Sequence, residues 1–211
     1  AWSRWFTGLY AAGDAACSGF HGVSVMPGNQ LLDAIGGGLA AGDHAGEWVK
    51  SRNLSGSNVA QEEEDRANAD FSAMCGTQDD AVIRVGSVAT KLRDASRQAL
   101  LGARDAASLS QSVEDLEALS VTAESIHLDQ HSLIANTNLV EISRIQAGIR
   151  LVLAATQSAL AREESRGSHQ RSDYPEQIED LLHHTTVDQT GATSTLGLRK
   201  GSTGNLSLIH I

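Results

Sequence analysis

The chain has 211 residues, 41% of them hydrophobic and 20% charged, which is enough apolar material for one large or two small cores. Its net charge of −10 excludes a nucleic-acid surface, because phosphates are met by clustered Lys and Arg. No apolar run reaches the length of a membrane span, so no direct membrane insertion is expected, and the N-terminus has no basic-then-apolar leader pattern. Cys17 and Cys75 are the only cysteines, too few for a disulfide framework or a thiolate-bound metal, and free thiols are expected. The chain starts at Ala1 in mid-phrase, as if cut from something longer. Its last six residues, Leu206 to Ile211, can be back-translated to a sequence that resembles a transposase adaptor of sequencing libraries, and a read-through scar is expected there rather than a genuine apolar tail.

In chain order, Thr7 to Ala12 is a short apolar run ending in Gly13-Asp14, which predicts a buried strand that stops abruptly. Cys17 to Gly28 is rich in Gly and Ser and predicts a loop. Asn29 opens a helical pattern through Leu31, Leu32, Ile35 and Leu39 to Trp48 and Val49. Gly36, Gly37, Gly38 and Gly42 would each cost an exposed helix about 1 kcal/mol relative to Ala, so this helix is expected to lie tightly against a neighbour or a cofactor. Ser51 to Asn58 reads as a linker. Ser57 or Asn58 can cap a helix with Glu62, Glu63 and Glu64 near its positive end. Thr77 with Asp80 forms a capping-box variant ahead of the stripe Val85, Val88, Leu92, Ala95 and Ala99. Ser112 with Asp115 is a weaker start for Val113, Leu116 and Leu119. The best stripe is Ile142, Ile145, Ile149, Val152 and Leu160. These helices predict an antiparallel bundle, followed from Gly191 by a Gly-, Ser- and Thr-rich stretch expected to be poorly ordered.

Three groups of residues bear chemistry. In Thr7-Gly-Leu-Tyr-Ala-Ala-Gly-Asp14, a strand ending in Gly-Asp lets backbone approach a ligand while the carboxylate accepts from sugar-like hydroxyls; the same pattern is also an ordinary strand-to-turn exit. It resembles the second FAD fingerprint of two-dinucleotide-fold flavoproteins, in which the acid holds the ribityl chain. Next, His21, Gly22, Gly28, Asn29, Leu31, Leu32 and Asp33 coincide without a gap with a segment of succinate dehydrogenase and fumarate reductase flavoprotein subunits. That segment reads approximately His-Gly-Ala-Asn-Arg-Leu-Gly-Gly-Asn-Ser-Leu-Leu-Asp. Finally, Glu164-Ser-Arg-Gly-Ser-His-Gln-Arg-Ser-Asp-Tyr-Pro175 resembles the family's Glu-Ser-Arg-Gly-Ala-His-x-Arg-x-Asp-Tyr/Phe-Pro element, and Leu182-His-His-Thr185 its Leu-Lys-His-Thr.

The resemblance is to the C-terminal part of the flavoproteins that include succinate dehydrogenase, fumarate reductase and L-aspartate oxidase. It implies an α/β remnant over 1–52, the end of an FAD-binding domain, then a helical bundle over 53–174 and a loosely ordered extension over 175–211, mostly α overall. It implies FAD as cofactor, with Asp14, Gly13, Asn29, Gln30 and Leu31 at its site and His21 orienting substrate or flavin. Backbone amides of Gln30 and Leu31 at a positive helix end would favour negative charge on the reduced ring. Glu164, Arg166, His169 and Arg171 are expected to form an interdomain salt-bridge network rather than to act in catalysis. Val25 stands where the family places the Arg that binds the substrate carboxylate, and Val makes no bidentate contact. His127 and His131 lack an evident third ligand, and no metal is expected. Implied partners are an iron–sulfur subunit and a small carboxylate substrate, with a cytoplasmic location, at the membrane face through partner subunits. L-aspartate oxidase is the alternative within the family. A helical interaction module without cofactor is the alternative outside it, and would leave Asp14 facing bulk solvent, away from Gln30.

Overall fold

The computed structural model describes residues 8–17, 19, 21–22, 24–53, 57–74, 83–128, 132 and 134–197. Cys75, the Thr77–Asp80 pair, His131 and the segment 198–211, with its adaptor-like end, lie outside the described residues. The fold is mostly α. The chain divides into two compact units, the first running to Gln61 and the second Glu62–Leu198, so the division lies beyond the boundary expected at 52/53.

In the first unit a 3-10 turn, Gly13–Ala16, precedes helix α1, Asn29–Lys50. Gly8 is left-handed at φ 90°, and Ala12 is extended at φ −141° and ψ 161°. No strand pairs with residues 8–12 among the described residues, and Leu9 is 74% exposed. The apolar run therefore has neither the ladder nor the burial expected of it. It is held instead by α1, along which it runs antiparallel. Tyr10 Oη meets Nδ1 of His44 at 2.7 Å. A Cβ on Gly8 would fall 2.8 Å from the Trp48 ring, and one on Gly37 would fall 3.5 Å from Cβ of Ala12. The contacts fall on Gln30, Ala34, Gly37, His44 and Trp48, one face at three- and four-residue multiples. Only Gly37 among the four glycines answers the expected close approach. Gly36, Gly38 and Gly42 have open space where a side chain would go, and Leu31, Leu32, Ile35 and Leu39 are exposed.

The second unit is a helical bundle with two small sheets. Helix α2, Ser57–Met74, contains both expected cap residues within its first turn, and the division between units falls within it. Helix α3, Val85–Leu100, buries Val88 and Ala99 of its predicted stripe. Strand β1 is Ala103–Arg104, followed by helix α4, Ala106–Glu124. The Ser112–Asp115 start is corrected. The helix begins earlier because Asp105 and Ser108 form a reciprocal capping box, Ser108 N–H donating to Asp105 Oδ1 at 2.8 Å and Asp105 N–H to Ser108 Oγ at 3.1 Å. Ser112 is an interior residue, its hydroxyl bonded to Ser108 O. Helix α5, Thr137–Ala161, starts where Asn136 accepts from Leu139 N–H at 3.1 Å.

The core lies among α3, α4 and α5, where Val88, Leu119, Ala123, Ile126, Leu128, Ile142, Ile145 and Ile149 pack together. At Gly148 a Cβ would stand 3.1 Å from Cδ2 of Leu92, a close approach between α3 and α5. Strand β2, Gln170–Arg171, pairs in parallel with β1. Strands β3, His183–Val187, and β4, Thr193–Gly197, form an antiparallel hairpin. The loose order expected over 175–211 is therefore corrected for this stretch. Its turn is fixed by Asp188, whose Oδ1 accepts from Thr190 N–H, Thr190 Oγ1 and Ala192 N–H. Among the described residues no helix is long and apolar enough to cross a membrane.

Candidate functional site

In the first unit, Asp14 sits in the Gly13–Ala16 turn and Gln30 in the opening turn of α1. Gln30 Nε2 donates to Asp14 Oδ2 at 2.5 Å. The turn lies this close because Gly13 has no side chain. At φ 61° it takes up a left-handed conformation, and a Cβ there would stand 3.2 Å from Cα and Cβ of Ala34. Gly28, also left-handed at φ 86°, is the N-cap of α1 and gives it no side-chain cap, so the first amides, Gln30 and Leu31 among them, rely on other acceptors. Asn29 N–H reaches Met26 O at 3.1 Å. His21 Nε2 meets Asp33 Oδ2 at 3.2 Å, both side chains mostly buried. Val25 is 44% exposed in the loop between them. Gly13, Asp14, Asn29, Gln30 and Leu31 thus lie at one end of one helix, where Asp14 is exposed to solvent and bonded to Gln30.

In the second unit, the predicted charges occupy a buried site at the ends of three helices. Glu164 is 0% exposed. Its Oε1 accepts from Arg166 Nε at 2.9 Å and from Arg162, and its Oε2 accepts from Arg166 at 3.0 Å and from Ile178 N–H at 2.9 Å. Burial pushes this carboxyl up, but the hydrogen bonds from Arg166, Ile178 and Arg162 outweigh it and hold the group below the ordinary carboxylate value. Arg171 forks onto Asp173 at 2.8 and 2.7 Å. Its other terminal nitrogen donates to the carbonyls of Ala159, Leu160 and Arg162, the end of α5. Asp173 also accepts from Ala106 N–H, the first residue of α4, at 2.9 Å. The hydrogen bond from Arg171 holds its carboxyl far below the usual range.

Arg104, buried and outside the sequence-based site, serves α3. It donates to Ala99 O at 3.2 Å, to Ser168 O and to His169 Nδ1 at 3.3 Å. His169 Nε2 points to Arg162 O at 3.3 Å. Accepting at one nitrogen and donating at the other, His169 is a neutral imidazole here. Arg162, also passed over in the sequence, donates to the carbonyls of Leu181 and His183 and so anchors β3.

The four predicted residues form one network with Arg104, Arg162 and Asp173. Among the described residues the partners found lie within Glu62–Leu198, because the stretch after α5 turns straight back across the helix ends. It is a clamp on the C-termini of α3 and α5 and the N-terminus of α4. Among the described residues no three His, Cys, Asp or Glu side chains converge as a metal site requires.

The clamp makes folding pH-dependent. Burial lowers the pKa of His169 from its ordinary value near 6.5, against the pull of the Arg162 carbonyl and with the help of Arg104, Arg162 and Arg171. A group whose folded pKa is depressed contributes stability that is complete above the unfolded value and is lost as pH falls through the folded one. Unfolding midpoints should therefore be flat above about pH 7 and decline below about 6.5. Histidine 169 replaced by glutamine (His169→Gln) should flatten the first part of that decline. An unchanged slope in a thermal melt series from pH 7.5 to 5 would refute the assignment.

The stretch that forms this clamp falls inside the family match. The family described as "Fumarate reductase flavoprotein C-term" matches residues 89–206, more than half of the chain. The chain belongs to that family. It is 32% identical over 192 residues to the fumarate reductase flavoprotein subunit of Mycobacterium tuberculosis, a match covering 85% of this chain and 32% of the relative. It is 28% identical over 187 residues to the succinate dehydrogenase flavoprotein subunit of Rickettsia bellii, covering 87% and 31%. The chain thus spans about one third of the length of the curated relatives it matches. Among solved structures, Escherichia coli quinol fumarate reductase superposes with a TM-score of 0.76 at 22% identity, covering 90% of this chain and 33% of that one. The Mycobacterium smegmatis Sdh1 complex in the apo form gives 0.69 at 24%, covering 90% and 32%. These likenesses show a shared fold.

Proposed function

We propose that the whole protein is an FAD-dependent oxidoreductase, a flavoprotein subunit of the succinate dehydrogenase and fumarate reductase kind, and that residues 1–52 supply the last part of its cofactor site. The contact that carries this reading is the 2.5 Å hydrogen bond between Gln30 and Asp14, which joins a carboxylate to the amide-bearing start of α1. These residues fit a flavin. Asp14 Oδ1 has no hydrogen-bond partner among the described residues and is available to a ribityl hydroxyl. The Gln30 and Leu31 amides lie at the positive end of a 22-residue helix, where negative charge is favoured. The uncovered apolar face of α1, with Leu31, Ile35 and Leu39, supports the same reading, since a helix of a larger domain has that face to bury.

When bound, FAD supplies two-electron hydride chemistry on a dicarboxylate-type substrate. The residues of this chain hold and tune: Asp14 accepts from the cofactor chain, Gly13 keeps the turn against α1, and the helix end favours the anionic ring. Val25 brings no charge, so either a different substrate is used or an arginine from elsewhere in the protein meets the carboxylate. As a flavoprotein subunit the protein would dock an iron–sulfur subunit and lie at the cytoplasmic face of a membrane through its partners.

The whole protein should purify yellow with one FAD, and should reduce fumarate with a reduced viologen dye or oxidise succinate. The 211-residue chain by itself should bind FAD weakly and turn nothing over. In the whole protein Asp14→Ala should weaken FAD binding about tenfold to a hundredfold, the worth of a charge-assisted hydrogen bond. Colourless protein without flavin overturns the reading. L-aspartate oxidation without succinate or fumarate turnover replaces it with L-aspartate oxidase.

A further inference from the structure

Two side chains of α1, Gln30 and Asp33, stand one turn apart on the helix surface, and each holds a different part of the preceding chain. Gln30 holds Asp14 at 2.5 Å, and Asp33 holds His21 at 3.2 Å. The His21–Asp33 pair is the better shielded, with side chains 13% and 26% exposed, although it closes a loop of twelve residues. Partial shielding strengthens a histidine–carboxylate contact relative to one in open water. Within the loop, Gly22 and Gly28 take left-handed conformations, and Asn29 N–H bonds to Met26 O, so the chain turns sharply as it enters α1. A tie at the far end of the loop adds to these contacts in fixing the place of Val25 and the entry into the helix.

We propose that His21 and Asp33 are a positioning pair, which ties the 21–28 loop to the opening turns of α1 and so sets where Val25 and the amide end of the helix stand relative to the cofactor. The proposal rests on the flavoprotein reading for the identity of that cofactor. It assigns His21 no contact with substrate or flavin; the histidine acts through Asp33. Asp33 lies on the same side of the helix as Gln30, so a change at Asp33 is transmitted over one turn to the residue that holds Asp14.

The first test needs no flavin. In the 211-residue chain, amide hydrogen exchange followed by mass spectrometry should show the 21–32 peptide opening about tenfold faster in His21→Ala and Asp33→Ala than in the wild type. The peptide spanning the core of α5 should be unchanged, which shows that the variants fold. His21→Gln, which keeps a donor, should restore most of the protection. Unchanged exchange in both alanine variants overturns the pair. The second test uses the whole flavoprotein. There Asp33→Asn should shift the flavin midpoint potential and raise KM by more than it lowers kcat. Faster exchange with an unmoved potential and KM would reduce the pair to a loop staple and overturn its positioning role. A whole protein that binds no flavin would sink the cofactor reading, while the exchange result would still decide the clasp.

Discussion

Glu164→Ala should destabilise the second unit by about 3–5 kcal/mol, read as a fall in the urea midpoint at unchanged slope. The size follows from what the carboxylate holds apart. Glu164 is fully buried and accepts four hydrogen bonds from three groups, two of them guanidinium ions that are themselves nearly buried. Alanine leaves Arg162 and Arg166 facing each other with no anion between them and Ile178 N–H without its acceptor. The surroundings cannot absorb that charge. The clamp contains Arg104, Arg162, Arg166 and Arg171 against Glu164 and Asp173, and His169 is neutral. Glu164→Gln is expected to recover little, because a carboxamide turns an NH2 group towards donors in place of one oxygen. Since a domain is stable by only about 5–15 kcal/mol in total, the alanine variant should lie near the limit of folding at 37 °C. A loss below about 1 kcal/mol would show that the arginines find other acceptors.

Helix positions in this molecule were legible where periodicity is strong and long. The pattern from Asn29 to Val49 matches α1, and the stripes of α3 and α5 fall on the core. The pattern did not give what depends on short signals. Asp105-x-x-Ser108 lacks the usual capping-box signature because the fourth residue is Ser rather than Glu or Gln, and Ser112, the expected start, is an interior residue of α4. The β3–β4 hairpin has five-residue strands in which Thr, Ser and His outnumber the single Val187 and Leu196, a composition close to that of unstructured tails. Nothing local reveals that it is anchored by Arg162, 21 residues before His183.

For the candidate cofactor end, the sequence placed Gly13-Asp14 beside the start of α1 through their order and their resemblance to a flavoprotein segment, and the Gln30–Asp14 contact follows that placement. The His21–Asp33 pair needed coordinates, since a His and an Asp twelve apart across a glycine loop have no preferred separation. For the clamp, four of the charged residues were identified but their partners were not. An arginine after a helix carries no information about which helix end it will meet. Arg104 reaches the clamp only because β1 pairs with β2, a contact between segments more than sixty residues apart.

Arg171→Ala is the second large loss expected, again about 3–5 kcal/mol, and the reasoning differs because this side chain holds backbone as well as charge. Its fork neutralises Asp173, its remaining nitrogen serves three carbonyls at the end of α5, and its guanidinium lies 4.9 Å from the Tyr174 ring centroid. Those carbonyls are the acceptors that a helix C-terminus leaves without partners, and a cation there also meets the negative end of the dipole. Arg171→Lys keeps the charge but offers one nitrogen in place of a rigid fork. It can satisfy Asp173 or the α5 carbonyls and not both, so it should recover less than half of the loss. A double-mutant cycle separates the two contributions. If Arg171 acts mainly through Asp173, the pair Arg171→Ala with Asp173→Ala will be strongly non-additive, the second change adding almost nothing. If it acts mainly as the cap of α5, the two losses will add, and hydrogen exchange at the last turn of α5 will rise in Arg171→Ala but not in Asp173→Ala. The three carbonyl contacts against one carboxylate favour the second outcome. Full recovery by lysine would contradict both.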